Sequence, residues 1–478
     1  MTMATKSVSD WRGPIRAVLS STAARLDGIT GAAAARIKVG LALQEPILLQ
    51  KIDDCAYDLL EAGFADEAER LFRTVVNVLA SDPSGHVGLA TLAMRQRRWE
   101  EAAAAWNTAI ELAGYRASPH WIAQQAWSLI CLGRPAAALR VLDSRAADTA
   151  RIPNLLRHRL QCLVMLRRLP EARMVFAETI ERHDDPATLA GLLDFAAQLF
   201  EGWARTQAFH TLLGRAQAAD PLALGLRLRL LLALRNYAEF MRVYDSVADR
   251  RQLGEYESEL SGVAAALRRP NVPDGLRPKI FGIGLSRTGT QSMTAALHSL
   301  GLSALHWANR LTGEIFSDDD LPLFDAFLDT PVCMSFERHY YAFPNSKFIY
   351  TIRPQQDWER SWSAYTSRWW LLSDHTEIAK VMQQPDQFQW GRRFVDIQMT
   401  LYYNHPTYVD AFRIYDSRVR RFFADKPPER YLEFDLFSGD GWDKLCSFLK
   451  LDLPGVPFPW ENRAPAPRAA TAPDRVQS

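Results

Sequence analysis

The chain has 478 residues, is 48% hydrophobic, and carries 56 Lys and Arg against 55 Asp and Glu. That length allows roughly two to four domains with proper cores, and the even charge excludes the basic footprint that a nucleic-acid or anionic-membrane partner requires. The cysteines, Cys55, Cys131, Cys162, Cys333 and Cys446, form neither a CxxC pair nor a zinc spacing, so no metal site and no disulfide framework is expected, and a reducing, cytoplasmic setting fits.

Residues 1–49 read as a helical N-terminal segment. Lys6, Asp10, Arg12 and Arg16 are not followed by an unbroken apolar run, so a signal peptide is not expected. No stretch of about 18 apolar residues predicts a membrane span.

Residues 50–267 are rich in Ala, Leu and Arg and predict helix throughout. Pro83, Pro119, Pro153, Pro186 and Pro221 form a ladder with steps of 36, 34, 33 and 35 residues. Ala68, Ala102, Ala137 and Ala172 keep nearly the same period, and four residues beyond each comes Phe72, Trp106, Val141 or Phe176. Positions i and i+4 share a helix face, so one small-then-large pattern recurs in each unit. The prolines are expected to close the units, since proline cannot continue a helix. A helical period near 34 resembles tetratricopeptide repeats, and Asp66-Glu-Ala68, Glu100-Glu-Ala102 and Pro170-Glu-Ala172 are similar to that family's second helix. The resemblance implies a stacked solenoid that offers a groove to an acceptor or a partner. The units around Ala208 and Phe240 lose the ruler.

Residues 268–278 hold Pro270, Pro273, Gly275 and Pro278 and predict a linker. An α/β domain over 279–463 follows. Lys279–Leu285 predicts a buried strand, 290–301 a helix, Ser346–Ile352 and Tyr431–Phe434 further strands, and Trp442–Leu449 a short helix. Strands alternating with helices predict a parallel sheet covered on both faces. The Ala/Pro-rich tail, 464–478, predicts disorder.

The segment Gly284-Leu-Ser286-Arg287-Thr288-Gly289-Thr290-Gln291-Ser292 lies between strand and helix. That is the context of a phosphate cradle, where backbone N–H groups and a helix N-terminus face the anion. Gly284 and Gly289 keep the glycine spacing of a nucleotide triphosphate loop. Thr290 stands where its Lys would be, and Gln291 where its Mg²⁺-binding Ser or Thr would be. The cation is inside the loop, at Arg287. This order resembles the sulfotransferases, in the branch with Arg-Thr-Gly-Thr. The resemblance spans about 279–463 and implies 3′-phosphoadenosine 5′-phosphosulfate (PAPS) as co-substrate, a P-loop-like fold and no metal. It places Arg287 on the bridging oxygen of the phosphosulfate, and Ser286 to Ser292 around the phosphates. Arg353 at a strand end and Ser361 eight residues on match the family's 3′-phosphate site. The Pro457-Phe-Pro segment near Asn462 is also shared. The Arg-Lys-Gly loop of the small-molecule enzymes is missing.

Two positions compete as the base that takes the acceptor's proton. Asp329, two residues before Pro331, lies where the small-molecule enzymes place a His. His306 lies nearer to the base Glu of carbohydrate-modifying members. Glu314 and Glu337 are weaker candidates, read as solvated. Ser317 with Asp318, Asp319 and Asp320 reads as a solvated acidic loop, and Cys333 as a buried small hydrophobe. Trp358, Trp362, Tyr365, Trp369 and Trp370 make a helix stripe that fits a core better than a stacking surface. An inactive scaffold or a phosphotransferase are the rival readings, and the acceptor stays open among carbohydrate, lipid, small molecule and protein.

Overall fold

The computed structural model describes residues 48–216, 223–269 and 277–461, which form two compact units, one up to Cys162 and one from Leu163 onward. Residues 1–47, Pro221, most of the expected linker, Asn462 and the 464–478 tail lie outside the described residues.

The first unit is helical. It contains α1 (Leu48–Glu61), α2 (Ala65–Val78), α3 (Ser84–Arg95), α4 (Trp99–Ala113), α5 (Pro119–Cys131) and α6 (Pro135–Asp143), and α7 (Pro153–Met165) follows. Pro83, Pro119, Pro153 and Pro186 open helices rather than close units. Pro119 is the first residue of α5 behind the cap Ser118, and Pro83 is itself the cap of α3. The fixed φ of proline is already helical there, and its missing N–H would have had no partner in the first turn. The small-then-large pairs are buried at Ala68 with Phe72 and at Ala102 with Trp106. In the next unit the buried pair is Ala138 with Leu142, one residue beyond the expected Ala137 and Val141. A 3₁₀ turn at Gly114–Arg116 lengthens the connection after α4.

The second unit combines α8 (Leu169–Arg182), α9 (Pro186–Leu199), α10 (Gly202–Arg215), α11 (Leu224–Ala233), α12 (Tyr237–Asp245) and α13 (Glu257–Arg268) with a sheet. The strands are β1 (Ile280–Gly282), β2 (Ala304–His306), β3 (Ala326–Leu328), β4 (Lys347–Thr351) and β5 (Tyr431–Phe434), in the order β2-β3-β1-β4-β5. Every pairing is parallel, with Phe281 opposite both Phe327 and Phe348. Helices cover both faces: α14 (Thr290–Ser299) and α20 (Trp442–Leu449) one, α15 (Phe336–Ala342) and α19 (Tyr408–Phe423) the other. Between β4 and α19 come α16 (Gln355–Trp369), α17 (His375–Met382) and α18 (Gly391–Gln398).

One hydrophobic core runs through this unit. It includes Leu228, Phe240 and Val263 of α11, α12 and α13 together with Phe281, Phe316, Phe327 and Trp358. Polar clamps reinforce it. Arg229, buried on α11, donates from Nε to Leu311 O (2.8 Å) and from Nη2 to Asp194 Oδ1 (2.7 Å), with its guanidinium over the Tyr256 ring. Trp390 N donates to Gln198 O (2.9 Å), and Arg167 Nη1 to Trp370 O (3.0 Å). The helices of residues 163–268 and the sheet that follows them are thus one folded body. No helix among the described residues is long and apolar enough to cross a membrane.

Candidate functional site

In an open parallel sheet, ligands bind outside the carboxyl ends of the strands, where the chain crosses in opposite directions on either side of a central strand. Here that strand is β1. The main residues singled out from the sequence leave the sheet at that edge. Ser286 and Arg287 follow β1, His306 ends β2, Asp329 follows β3, Arg353 follows β4, and Asp435 follows β5.

The loop after β1 is built by close approach. A Cβ on Gly284 would lie 1.9 Å from Thr351 Oγ1, so only glycine lets the loop pass β4. Gly289 caps α14 at φ +97°, a left-handed conformation that glycine takes without penalty. Side chains from the covering helices hold the loop's carbonyls: Trp358 Nε1 donates to Ser286 O (2.9 Å) and Tyr415 OH to Ile283 O (2.6 Å). Thr288 is buried, its hydroxyl 2.7 Å from Leu285 O and 2.8 Å from Thr351 Oγ1. The first amides of α14 have no acceptor one turn back and point out of the helix end, as an anion site requires. Ser292 is turned elsewhere: its buried hydroxyl accepts from Glu461 N (2.9 Å). Gln291 is exposed.

Two guanidiniums meet over this loop. Arg287 Nε donates to Ser361 Oγ (3.1 Å), and Arg353 Nη1 donates to Arg287 O (3.0 Å). Arg353 lies over the Phe437 ring at 4.3 Å, and its buried Nε has no partner among the described residues. Neither arginine pairs with a carboxylate among those residues. Burial pulls both below the usual arginine range; the Arg287 charge adds to this at Arg353, whereas nearby Asp329 opposes it at Arg287. Beside them a cavity of about 260 Å³ is lined by Thr288, Thr351, Arg353, Phe412, Arg420 and Asp435, among others.

Asp329 and His306, rivals in the sequence, are one assembly. His306 Nε2 is 3.0 Å from Asp329 Oδ2, and Thr290 Oγ1 donates to the same oxygen at 2.7 Å. Asp329 Oδ1 accepts from Ser286 Oγ, Thr330 N and Thr330 Oγ1. Burial would raise the Asp329 carboxyl, but the bonds from His306, Ser286 and Thr290 and the nearby imidazole hold it well below the usual carboxylate range. Arg287, Trp307 and Asp329 adopt φ of 76°, 59° and 70°. Left-handed backbone at non-glycine residues costs roughly 1–2 kcal/mol each and gathers at functional sites.

The weaker candidates stand apart. Glu337 pairs with Arg418 at 2.6 Å. Glu314, expected in solvent, is buried between Arg205 (3.2 Å) and Arg235 (3.3 Å) from α10 and the α11–α12 turn. The acidic loop is likewise structural: buried Asp320 accepts from Asn309 Nδ2 and Ser317 N, while Asp318 pairs with Arg338. Cys333 is fully buried, and burial pushes its thiol up. Trp358 and Trp362 are core, as the stripe implies, whereas Tyr365 is only half-buried beside Arg287.

Fold and loop together define a parallel α/β domain with a glycine-bounded loop between β1 and the N-terminus of α14. Residues 279–320 and 316–466 match the sulfotransferase domain family, so the chain is an N-terminal helical region followed by a sulfotransferase domain. It is also similar to "Ava biosynthesis cluster protein M" of Aspergillus versicolor, with 26% identity over 224 residues that cover 38% of this chain and 79% of that protein.

Proposed function

We propose that the chain is a PAPS-dependent sulfotransferase that moves a sulfuryl group onto an acceptor hydroxyl or amine. The observation that carries this reading is the pair Arg287 and Arg353. Two half-buried guanidiniums that lack carboxylate partners, at a helix N-terminus, favour an anion between them. The residues fit the nucleotide. The cavity at Arg353 leaves room beside the loop, Arg353 keeps a buried donor unpartnered, and Gly284 admits the chain where a side chain would block it.

PAPS, when bound, supplies the sulfuryl group and leaves as 3′-phosphoadenosine 5′-phosphate (PAP). The first turn of α14 and Arg353 hold the phosphates, with Ser361 as a further donor. Arg287 meets the negative charge that builds on the bridging oxygen as its bond to sulfur lengthens. His306 takes the acceptor's proton. Its Nε2–H points at Asp329, so Nδ1 is the nitrogen free to accept; Asp329 fixes that orientation rather than acting as the base. The N-terminal helices, with their tetratricopeptide-like period, fit a role in recruiting the acceptor or a protein partner.

The test is calorimetry with PAP, ATP and AMP, with and without Mg²⁺. PAP should bind far more tightly than ATP or AMP and without metal. Equal affinity for ATP, or a strict need for Mg²⁺, would remove the sulfotransferase reading.

A further inference from the structure

Tyr365 faces the site and is used by none of the steps above. It lies one helical turn after Ser361 on α16, at i and i+4, and Arg368 follows at i+7, so the three share the face turned to the phosphate loop. The Arg287 guanidinium lies over the Tyr365 ring, 5.5 Å from its centroid. On the other side the ring packs on Trp362 (5.9 Å) and Trp370 (6.0 Å), which fix its direction. Its hydroxyl makes no hydrogen bond among the described residues, and the residue is half-buried, so this donor stays open to a ligand. The phenol feels Asp329 as well as Arg287, and burial pushes it up to about 12, so it is a standing donor at neutral pH.

Resting on the sulfotransferase reading, we propose that Tyr365 is a catalytic residue that donates a hydrogen bond to a non-bridging oxygen of the sulfuryl group in flight. The reaction breaks the bond from sulfur to the bridging oxygen, whose electron pair leaves with PAP, and forms a bond from sulfur to the acceptor oxygen. The acceptor's proton goes to His306, and Tyr365 keeps its own. Between donor and acceptor the sulfuryl group is nearly planar and its oxygens lie to the sides of the transfer axis. Arg287 sits at one end of that axis and His306 at the other. A donor from α16 reaches an equatorial oxygen, which neither of those residues can serve. The ring also closes one wall of the site against water.

Tyr365→Phe in the full-length protein tests this, with water as the acceptor. Release of PAP from PAPS should fall roughly a hundredfold, the scale for losing one preorganised donor. The affinity for PAP alone and the melting temperature should match the wild type. Calorimetry gives a second readout without turnover. Orthovanadate, whose five-coordinate form imitates the planar sulfuryl group, should tighten PAP binding to the wild type, and Tyr365→Phe should lose most of that gain. Tyr365→His, which restores a donor, should recover part of both. Unchanged turnover, or turnover and PAP affinity falling together, would overturn the assignment of Tyr365. A wild type that binds no PAP would instead overturn the sulfotransferase reading itself.

Discussion

His306 Nε2 lies 3.0 Å from Asp329 Oδ2, which pairs two residues 23 positions apart, 329 − 306, at the ends of adjacent strands. The pair leaves different fingerprints when each half is removed. His306→Gln should lower PAPS turnover by about 10²–10⁴ with PAP affinity and melting temperature little changed. Asp329→Asn should lower turnover and also loosen the loop, because Ser286, Thr290 and Thr330 all lean on that carboxylate, so PAP affinity falls with it. Equal effects of both variants on stability would contradict this division. The carboxyl is depressed in the folded state. Its stabilisation is therefore complete above the ordinary aspartate value near 4 and is lost as pH falls below it. In acid titrations the wild type should lose its advantage over Asp329→Asn in that range.

The two guanidiniums should separate in the same manner. Arg353→Ala should weaken PAP roughly tenfold to a hundredfold, as expected when a charged hydrogen-bonding group is lost. Arg287→Ala should spare PAP affinity more and cut turnover by about a hundredfold or more. If Arg287→Ala weakens PAP as much as Arg353→Ala does, its place at the bridging oxygen is wrong.

Arg229 predicts where the catalytic unit begins. Arg229→Met leaves Asp194 without its partner and frees the carbonyls of Arg310 and Leu311. A loss of about 2–4 kcal/mol is expected, toward the lower side because Asp194 is partly exposed. Read from the sequence, residues 271–478 would bind nucleotide alone. The shared core argues that this fragment is insoluble, while one starting at Pro153 folds and binds PAP. A soluble, PAP-binding 271–478 fragment would refute it.

Asp53 offers a pH test in the helical region. Burial first, then the charges of Asp54 and Asp82, raise its carboxyl to about 6. A raised carboxyl favours the folded state when protonated, so the penalty appears as pH climbs from about 4 through 6 and is constant above. Asp53→Asn should therefore raise the melting temperature at pH 7.5 and be neutral near pH 4. Equal gains at both values would mean that the charge is not the cause.

The strands β1, β4 and β5 and the helix α20 are legible because each is a continuous apolar run or a periodic stretch bounded by turn residues. β2 and β3, three residues each like β1, lack the longer apolar run around β1, because Ser303 and His306 bound the one and Asp325 and Asp329 the other. Their end residues, His306 and Asp329, are visible one at a time, but their pairing depends on strand order, which local sequence does not encode. Glu314 fails for a similar reason. Its burial is supplied by Arg205 and Arg235, 109 and 79 positions upstream (314 − 205 and 314 − 235). Tyr365 is hidden inside an aromatic stripe whose Trp358, Trp362 and Trp370 are core. Its signal lies in a spacing, four residues after Ser361, that gains meaning only once Arg287 is known to face that helix.

With Arg287 in its proposed place, its left-handed backbone puts heat tolerance and turnover in conflict at that position. Glycine or asparagine would relieve the backbone there, so a library screened for survival after heating alone would enrich those replacements. Its hardiest clones would have exchanged the cation for an easier φ, and would be the ones that no longer turn over.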